Sequence, residues 1–136
     1  MEFAADSGAR GHVVLSYGAH EIRLRDRTLR ASAIVTAAQV LDWPVAGVET
    51  LEEAALAPLY ALGVDVVLLA TGARQQFPPR AVYAALLRRG IGLEVMDVGA
   101  ACRTYNVLLA ESRRVALAAV ISPAAAAGRP DPPAGR

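Results

Sequence analysis

The sequence predicts an α/β fold in which an N-terminal antiparallel β segment precedes a C-terminal βαβαβ unit. Three observations carry that expectation. Val64-Asp65-Val66-Val67-Leu68-Leu69-Ala70 is a nearly unbroken apolar run, the pattern of a strand buried on both faces. A helical segment opening at Pro78-Pro79 and stopping at Gly90 leads directly into a second strand, Ile91 to Met96. Strand, helix and strand in this order imply parallel pairing through a right-handed crossover. Upstream, Glu21-Ile22-Arg23-Leu24-Arg25 alternates polar and apolar residues, as a strand with one wet face does.

Taken in order, His12-Val13-Val14-Leu15-Ser16-Tyr17 is rich in β-branched and aromatic residues and is followed by the turn signal Gly18-Ala19. With residues 21–25 it makes a hairpin that points Ile22 and Leu24 inward. Asp26-Arg27 turns the chain again, and Ser32 to Thr36 is the third strand. Trp43-Pro44 breaks regular structure, because a residue before proline avoids the helical region. Thr50-Leu51-Glu52-Glu53 reads as a capping box opening a helix with Leu51, Ala55, Leu59 and Leu62 on one face. Pro58 should kink or delay that helix, and Gly63 ends it. The helix after Pro79 buries Val82, Leu86 and Leu87 with Tyr83. A further helix opens at Gly99 and runs from Ala100 to Arg113, with Tyr105, Leu108, Leu109 and Ser112 at helical spacing. Val115 to Ile121 closes the sheet. Residues 1–11 read as a mobile start, 12–121 as a single α/β domain, and 122–136 as a disordered Ala/Pro/Gly tail.

Composition narrows the function classes. In 136 residues, 54% are hydrophobic and 20% charged, so core burial can offset chain entropy and wholesale disorder is excluded. Fourteen basic residues, all arginine, face 13 acidic ones for a net charge of +1, which argues against a dedicated nucleic-acid binder or a polybasic membrane anchor. The single cysteine, Cys102, rules out an internal disulfide and a multi-thiolate zinc site. Glu2 and Asp6 stand where a signal peptide carries positive charge, and no stretch reaches the length of a membrane span. The expectation is a cytoplasmic protein with no cofactor, no metal, no nucleic acid and no membrane insertion.

Chemistry in an open α/β sheet collects beyond the carboxyl ends of the parallel strands. Two loops leave the sheet there: residues 71–77 and residues 97–106. They nominate Thr71, Gly72, Arg74, Gln75, Asp97, Gly99, Cys102, Arg103, Thr104 and Asn106 as the lining of a crevice. Helix amides and the guanidinium groups of Arg74 and Arg103 would converge there on a weakly held anion. In the competing reading, Asp97 and Glu94 neutralise the two arginines and the crevice is structural. Neither loop completes a phosphate-binding or dinucleotide fingerprint. Cys102, near a helix N-terminus and beside Arg103, has the setting of an acidified thiol, yet no base accompanies it, since His12 and His20 belong to the hairpin. Its expected role is structural, and no catalytic residue is assigned. Trp43 and Phe77 are either protein-contact residues or core plugs.

Residues 71–78 (Thr-Gly-Ala-Arg-Gln-Gln-Phe-Pro), 89–97 (Arg-Gly-Ile-Gly-Leu-Glu-Val-Met-Asp) and 99–108 (Gly-Ala-Ala-Cys-Arg-Thr-Tyr-Asn-Val-Leu) carry a resemblance. The chain resembles the uncharacterised-domain family that includes the third assembly factor of mitochondrial respiratory complex I and the adipogenesis-associated domain protein. The resemblance implies a three-layer α/β domain with a mixed central β-sheet and an added N-terminal antiparallel β layer. Ala70 and Val98 stand where that family's pattern has glycine and threonine, which puts a hydroxyl-dependent role at position 98 in doubt. The resemblance implies action through protein partners: a non-enzymatic protein-binding domain, an accessory or assembly factor for a multi-subunit complex. The alternative is a small anionic ligand binder, or an enzyme, using the crevice between residues 71–77 and 97–106.

Overall fold

The computed structural model of the chain describes residues 11–123. The mobile start and the disordered tail expected from the sequence therefore lie outside the described residues, Gly11, Ser122 and Pro123 excepted. Among the described residues, β1 (Val14–Gly18) and β2 (Glu21–Leu24) form the expected antiparallel hairpin, and β3 (Thr28–Leu29) adds to it in the order β1-β2-β3. Ile22 and Leu24 are buried while Arg23 and Arg25 stay in water, as alternation across a strand requires.

The central sheet is mixed. It contains β4 (Ala33–Val35), β5 (Val40–Asp42), β6 (Val66–Ala70), β7 (Gly92–Met96) and β8 (Val115–Ala119) in the order β5-β4-β8-β6-β7. β6 pairs in parallel with both β7 and β8, whereas β4 is antiparallel to β5 and β8. The chain steps from β6 outward to β7 through α2 (Arg80–Arg88), then returns across β6 to β8 through α3 (Val98–Ala110). Two crossovers of the same hand running in opposite directions set their helices on opposite faces. Both faces of the sheet are accordingly buried.

On one face, Val35, Leu68, Ala70, Leu117 and Ala119 pack with Ala101, Cys102 and Tyr105 of α3 and with Val14, Ile22 and Leu24 of the small sheet. On the other, Ile34, Val67, Leu69, Ala116 and Ala118 pack with Val82, Ala85 and Leu86 of α2 and with Trp43, Leu56 and Leu59. The result is the three-layer α/β architecture, with the antiparallel β layer sharing a core with α3. No helix among the described residues is long and apolar enough to cross a membrane.

Several local expectations need correction. The segment from Thr50 is not one capped helix: Glu53–Leu56 is a 3-10 turn whose N-cap, Glu52, makes no side-chain cap bond, and α1 (Ala57–Tyr60) is a single turn. Pro58 is the reason, because it is tolerated at the first turn of a helix and not in its interior. Leu87 faces water at 75% exposure, since the buried face of α2 is Val82, Ala85 and Leu86. α3 opens at Val98 rather than Gly99 and stops at Ala110, so Ser112 lies beyond it and is exposed. β3 and β5 had no counterpart in the sequence reading.

The end of α3 explains that early stop. Ser112 takes φ 61°, its N–H donates to Leu109 O at 3.0 Å, and the Arg113 N–H donates to Leu108 O at 2.9 Å. That bond pair closes the last turn around a left-handed residue, a position that favours glycine. Ser112→Gly should raise the unfolding free energy by about 1 kcal/mol, by removing the Cβ penalty of the left-handed region. Urea denaturation of both proteins checks it, and an unchanged or lowered midpoint would contradict the account.

Candidate functional site

β6 ends at Ala70 and its parallel neighbour β7 ends at Met96, directly opposite in register. From there the chain leaves toward opposite faces of the sheet, the point at which such folds open a crevice. Here the two departing segments are hydrogen-bonded to each other. The Thr71 N–H donates to Met96 O at 2.9 Å and the Val98 N–H to Gly72 O at 2.8 Å. The buried Thr71 hydroxyl lies 2.7 Å from the Arg74 carbonyl and 3.1 Å from the Met96 carbonyl, and accepts from the Gln76 N–H at 3.2 Å. The Gln75 side-chain amide donates to Val95 O at 2.8 Å, and that of Gln76 to Thr71 O at 3.2 Å.

Asp97 caps α3: its carboxylate accepts from the Ala100 N–H at 2.9 Å, which supplies the negative charge that a helix N-terminus favours. The amides of Val98 and Ala100 are thus engaged within the chain itself.

The two arginines behave differently from each other. Arg74 is exposed and makes no ion pair among the described residues. Arg103 donates from Nη1 to the Tyr17 hydroxyl at 2.9 Å, tying α3 to β1. Neither meets Asp97 or Glu94; the ion pairs among the described residues are Arg27–Asp26, Arg30–Glu21, Arg88–Glu53 and Arg114–Asp65. Tyr17 also explains Gly99, because a Cβ there would stand 2.7 Å from the tyrosine hydroxyl and 3.0 Å from its ring carbons. Thr104 is half-buried on the following turn.

Cys102, Tyr105 and Asn106 turn inward. The Asn106 side chain accepts from the Val14 N–H at 3.0 Å and donates to Val14 O at 2.8 Å, so its amide pairs with the strand as a backbone peptide would. Next to it, the Tyr105 hydroxyl donates to His12 O at 2.6 Å. Cys102 is fully buried, and that burial pushes its thiol up from 9.0 to about 12, against a smaller opposing pull from Arg103. Burial raises the Tyr105 hydroxyl as well, with Cys102 adding to the rise. The acidified thiol that the sequence setting suggested is therefore replaced by an inert one.

Sequence reasoning did not bring His20 to this end of the sheet. It joins Val48, Thr71, Gly72, Ala73, Gln76 and Ser122 around a cleft of about 160 Å³, with its Nδ1 buried and unpartnered among the described residues. A histidine in a hairpin turn carries no motif that could have signalled this. Of the two aromatics singled out, Trp43 is a core plug whose Nε1–H donates to Ala55 O at 2.8 Å, and Phe77 is 61% exposed.

Two outcomes follow from the inward-facing side chains. Asn106→Ala leaves both polar groups of Val14 without partners and should cost about 2 kcal/mol in urea denaturation; Asn106→Asp keeps only the acceptor half and should also destabilise. A thiol with its folded pKa raised from 9.0 to about 12 keeps its proton longer in the folded state. Its contribution is intact below pH 9 and is lost as pH climbs toward 12. Cys102→Ala should flatten the decline of stability in that window; an identical decline would contradict the buried neutral thiol.

Comparison with known proteins bears on the family and the fold. A family described as a protein of unknown function (DUF498/DUF598) matches residues 14–120. Over 117 residues the chain is 33% identical to a Danio rerio protein named NADH dehydrogenase (ubiquinone) 1 alpha subcomplex assembly factor 3, covering 85% of this chain and 67% of that one. An NMR structure of a Xanthomonas campestris protein superposes with a TM-score of 0.76 at 38% identity, covering 89% of this chain and 92% of that one. A solution structure from Bordetella pertussis, described as an Mth938-like domain, does so with a TM-score of 0.72 at 25% identity, covering 90% and 94%. The match spans both paired loops and every strand of the central sheet, and the chain belongs to the DUF498/DUF598 family.

Proposed function

We propose that this domain acts by binding a protein partner, as an assembly factor for a multi-subunit complex of the NADH dehydrogenase kind, and that it is not an enzyme. The observation that carries the reading is the 33% identity over 85% of the chain to a protein named as such an assembly factor. The site geometry supports it. The loops after β6 and β7 use most of their hydrogen-bonding groups on each other, Arg74 and the neighbouring His20 Nδ1 excepted, and the one cysteine is buried and protonated at neutral pH. A catalytic role would need groups free to meet a substrate.

Deletion of the gene in its own organism, followed by native-gel quantification of assembled NADH dehydrogenase, tests the reading. Assembled complex should fall several-fold, and both the wild type and Cys102→Ala should restore it. Unchanged complex after deletion would overturn the assembly role, and failure of a folded Cys102→Ala protein to restore it would bring thiol chemistry back.

A further inference from the structure

Between the 3-10 turn with α1 on one side and α2 on the other runs a surface groove of about 340 Å³. Ala54, Ala57 and Ala85 supply the apolar part of its lining, Ala85 buried and the other two exposed. Their short side chains leave a shallow bed between the two helical segments. Tyr60, Arg88 and Arg89 form the rim, with Glu53 beside Arg88.

Both guanidinium groups are held in place by neighbours. Arg89 lies 3.9 Å over the centroid of the Tyr60 ring and meets no carboxylate among the described residues. A guanidinium stacked by its face keeps its N–H donors in the plane and available, which is the arrangement a carboxylate meets bidentately. Arg88 donates from Nη2 to the Glu53 carboxylate at 3.0 Å, with its side chain still 63% exposed. The rim thus carries two positive charges against one negative. Ala81 and Ala84, both exposed, extend the small-residue surface from the groove onto the outer face of α2.

A second copy of this chain is a poor occupant. Two α2 helices packed antiparallel about Ala84 would set Arg80 opposite Arg88 of the other copy, and Glu53 beside Arg88 offsets only one of those two like charges. We propose that the groove receives an acidic segment of a partner protein. One of its carboxylates pairs with Arg89, and small apolar side chains rest against Ala54, Ala57 and Ala85. This is recognition of an acidic motif by arginines laid over an apolar bed, and it rests on the protein-binding reading above. Arg89 supplies specificity because its orientation is fixed before the partner arrives.

The test is site-specific photo-crosslinking in the organism itself, with a benzophenone amino acid at Ala84 of the full chain and, as control, at the exposed Val107 of α3. The Ala84 position should yield an adduct that maps to a partner segment bearing Asp or Glu, at least tenfold stronger than any from Val107. Arg89→Glu should weaken it at least fivefold while Arg89→Lys keeps part of it, with thermal melts showing both variants folded. No adduct, an adduct to a second copy, or one insensitive to Arg89→Glu overturns the proposal. If the Glu variant loses its fold, Arg89→Gln, which keeps the size and removes the charge, decides between the outcomes. An adduct that behaves as expected in cells whose NADH dehydrogenase assembly ignores the gene deletion sinks the assembly role and leaves the groove standing. Full restoration of assembly by folded Arg89→Glu protein does the reverse.

Discussion

β8 is the last strand in the described chain and the middle strand of its sheet, and the two layers on either side exist because it is buried throughout. Ala116, Leu117, Ala118 and Ala119 have no measurable exposure. β8 joins an antiparallel half, β4 and β5, to a parallel half, β6 and β7, so each half would present an open edge without it. Its faces divide cleanly: Val115, Leu117 and Ala119 enter the core shared with α3 and the small sheet, while Ala116 and Ala118 enter the core shared with α2. Three alanines in five residues keep both helix layers close to the sheet. Larger side chains there would have to displace packed helices on either face.

α3 turns that sheet into a platform for the N-terminal strands. Its inward residues are chosen for distinct physical tasks: Cys102 is a small apolar filler, Tyr105 reaches His12, and Asn106 satisfies both polar groups of Val14. β1 carries an irregularity in register between Val14 and Ser16, at the point where Asn106 takes hold. A side-chain amide substitutes there for a neighbouring strand, which lets a helix and a hairpin share a hydrogen-bonded seam. The cost of burying the Cys102 thiol and the Tyr105 hydroxyl appears as raised pKa values rather than as unsatisfied charge.

The sequence was most informative where burial on two faces leaves no choice of residue type. The apolar run ending at Ala70, the crossover helix stopped by Gly90 and the hairpin alternation around Ile22 and Leu24 were all legible for that reason. β5 was not, because Val40-Leu41-Asp42 is too short for a period and becomes a strand only through pairing with β4. The capping-box pattern at Thr50 misled because a local motif cannot outvote Pro58 eight residues later. At the crevice, the meeting of the two loops was readable from topology, whereas the use of their polar groups was not. Whether Asp97 pairs with an arginine or caps its own helix, and whether Arg103 reaches into the gap or toward Tyr17, depends on distances that only the folded chain sets.

The Gln75 side chain, bonded to Val95 O, also bears on how this protein behaves in crowded solution. β7 is an edge strand, and its ladder to β6 uses Gly92 and Met96, since the Gly92 N–H donates to Asp65 O and Met96 O accepts from the Thr71 N–H. In a parallel ladder the alternate residues Leu93 and Val95 then present their backbone groups outward. Gln75 occupies one of those acceptors with a donor from the same chain. An incoming strand from another molecule must first break that bond and displace the loop that carries it. The glutamine thereby occupies one of the acceptors through which β7 could add a further strand, the role that lysine, proline or a bulge plays on other sheet edges.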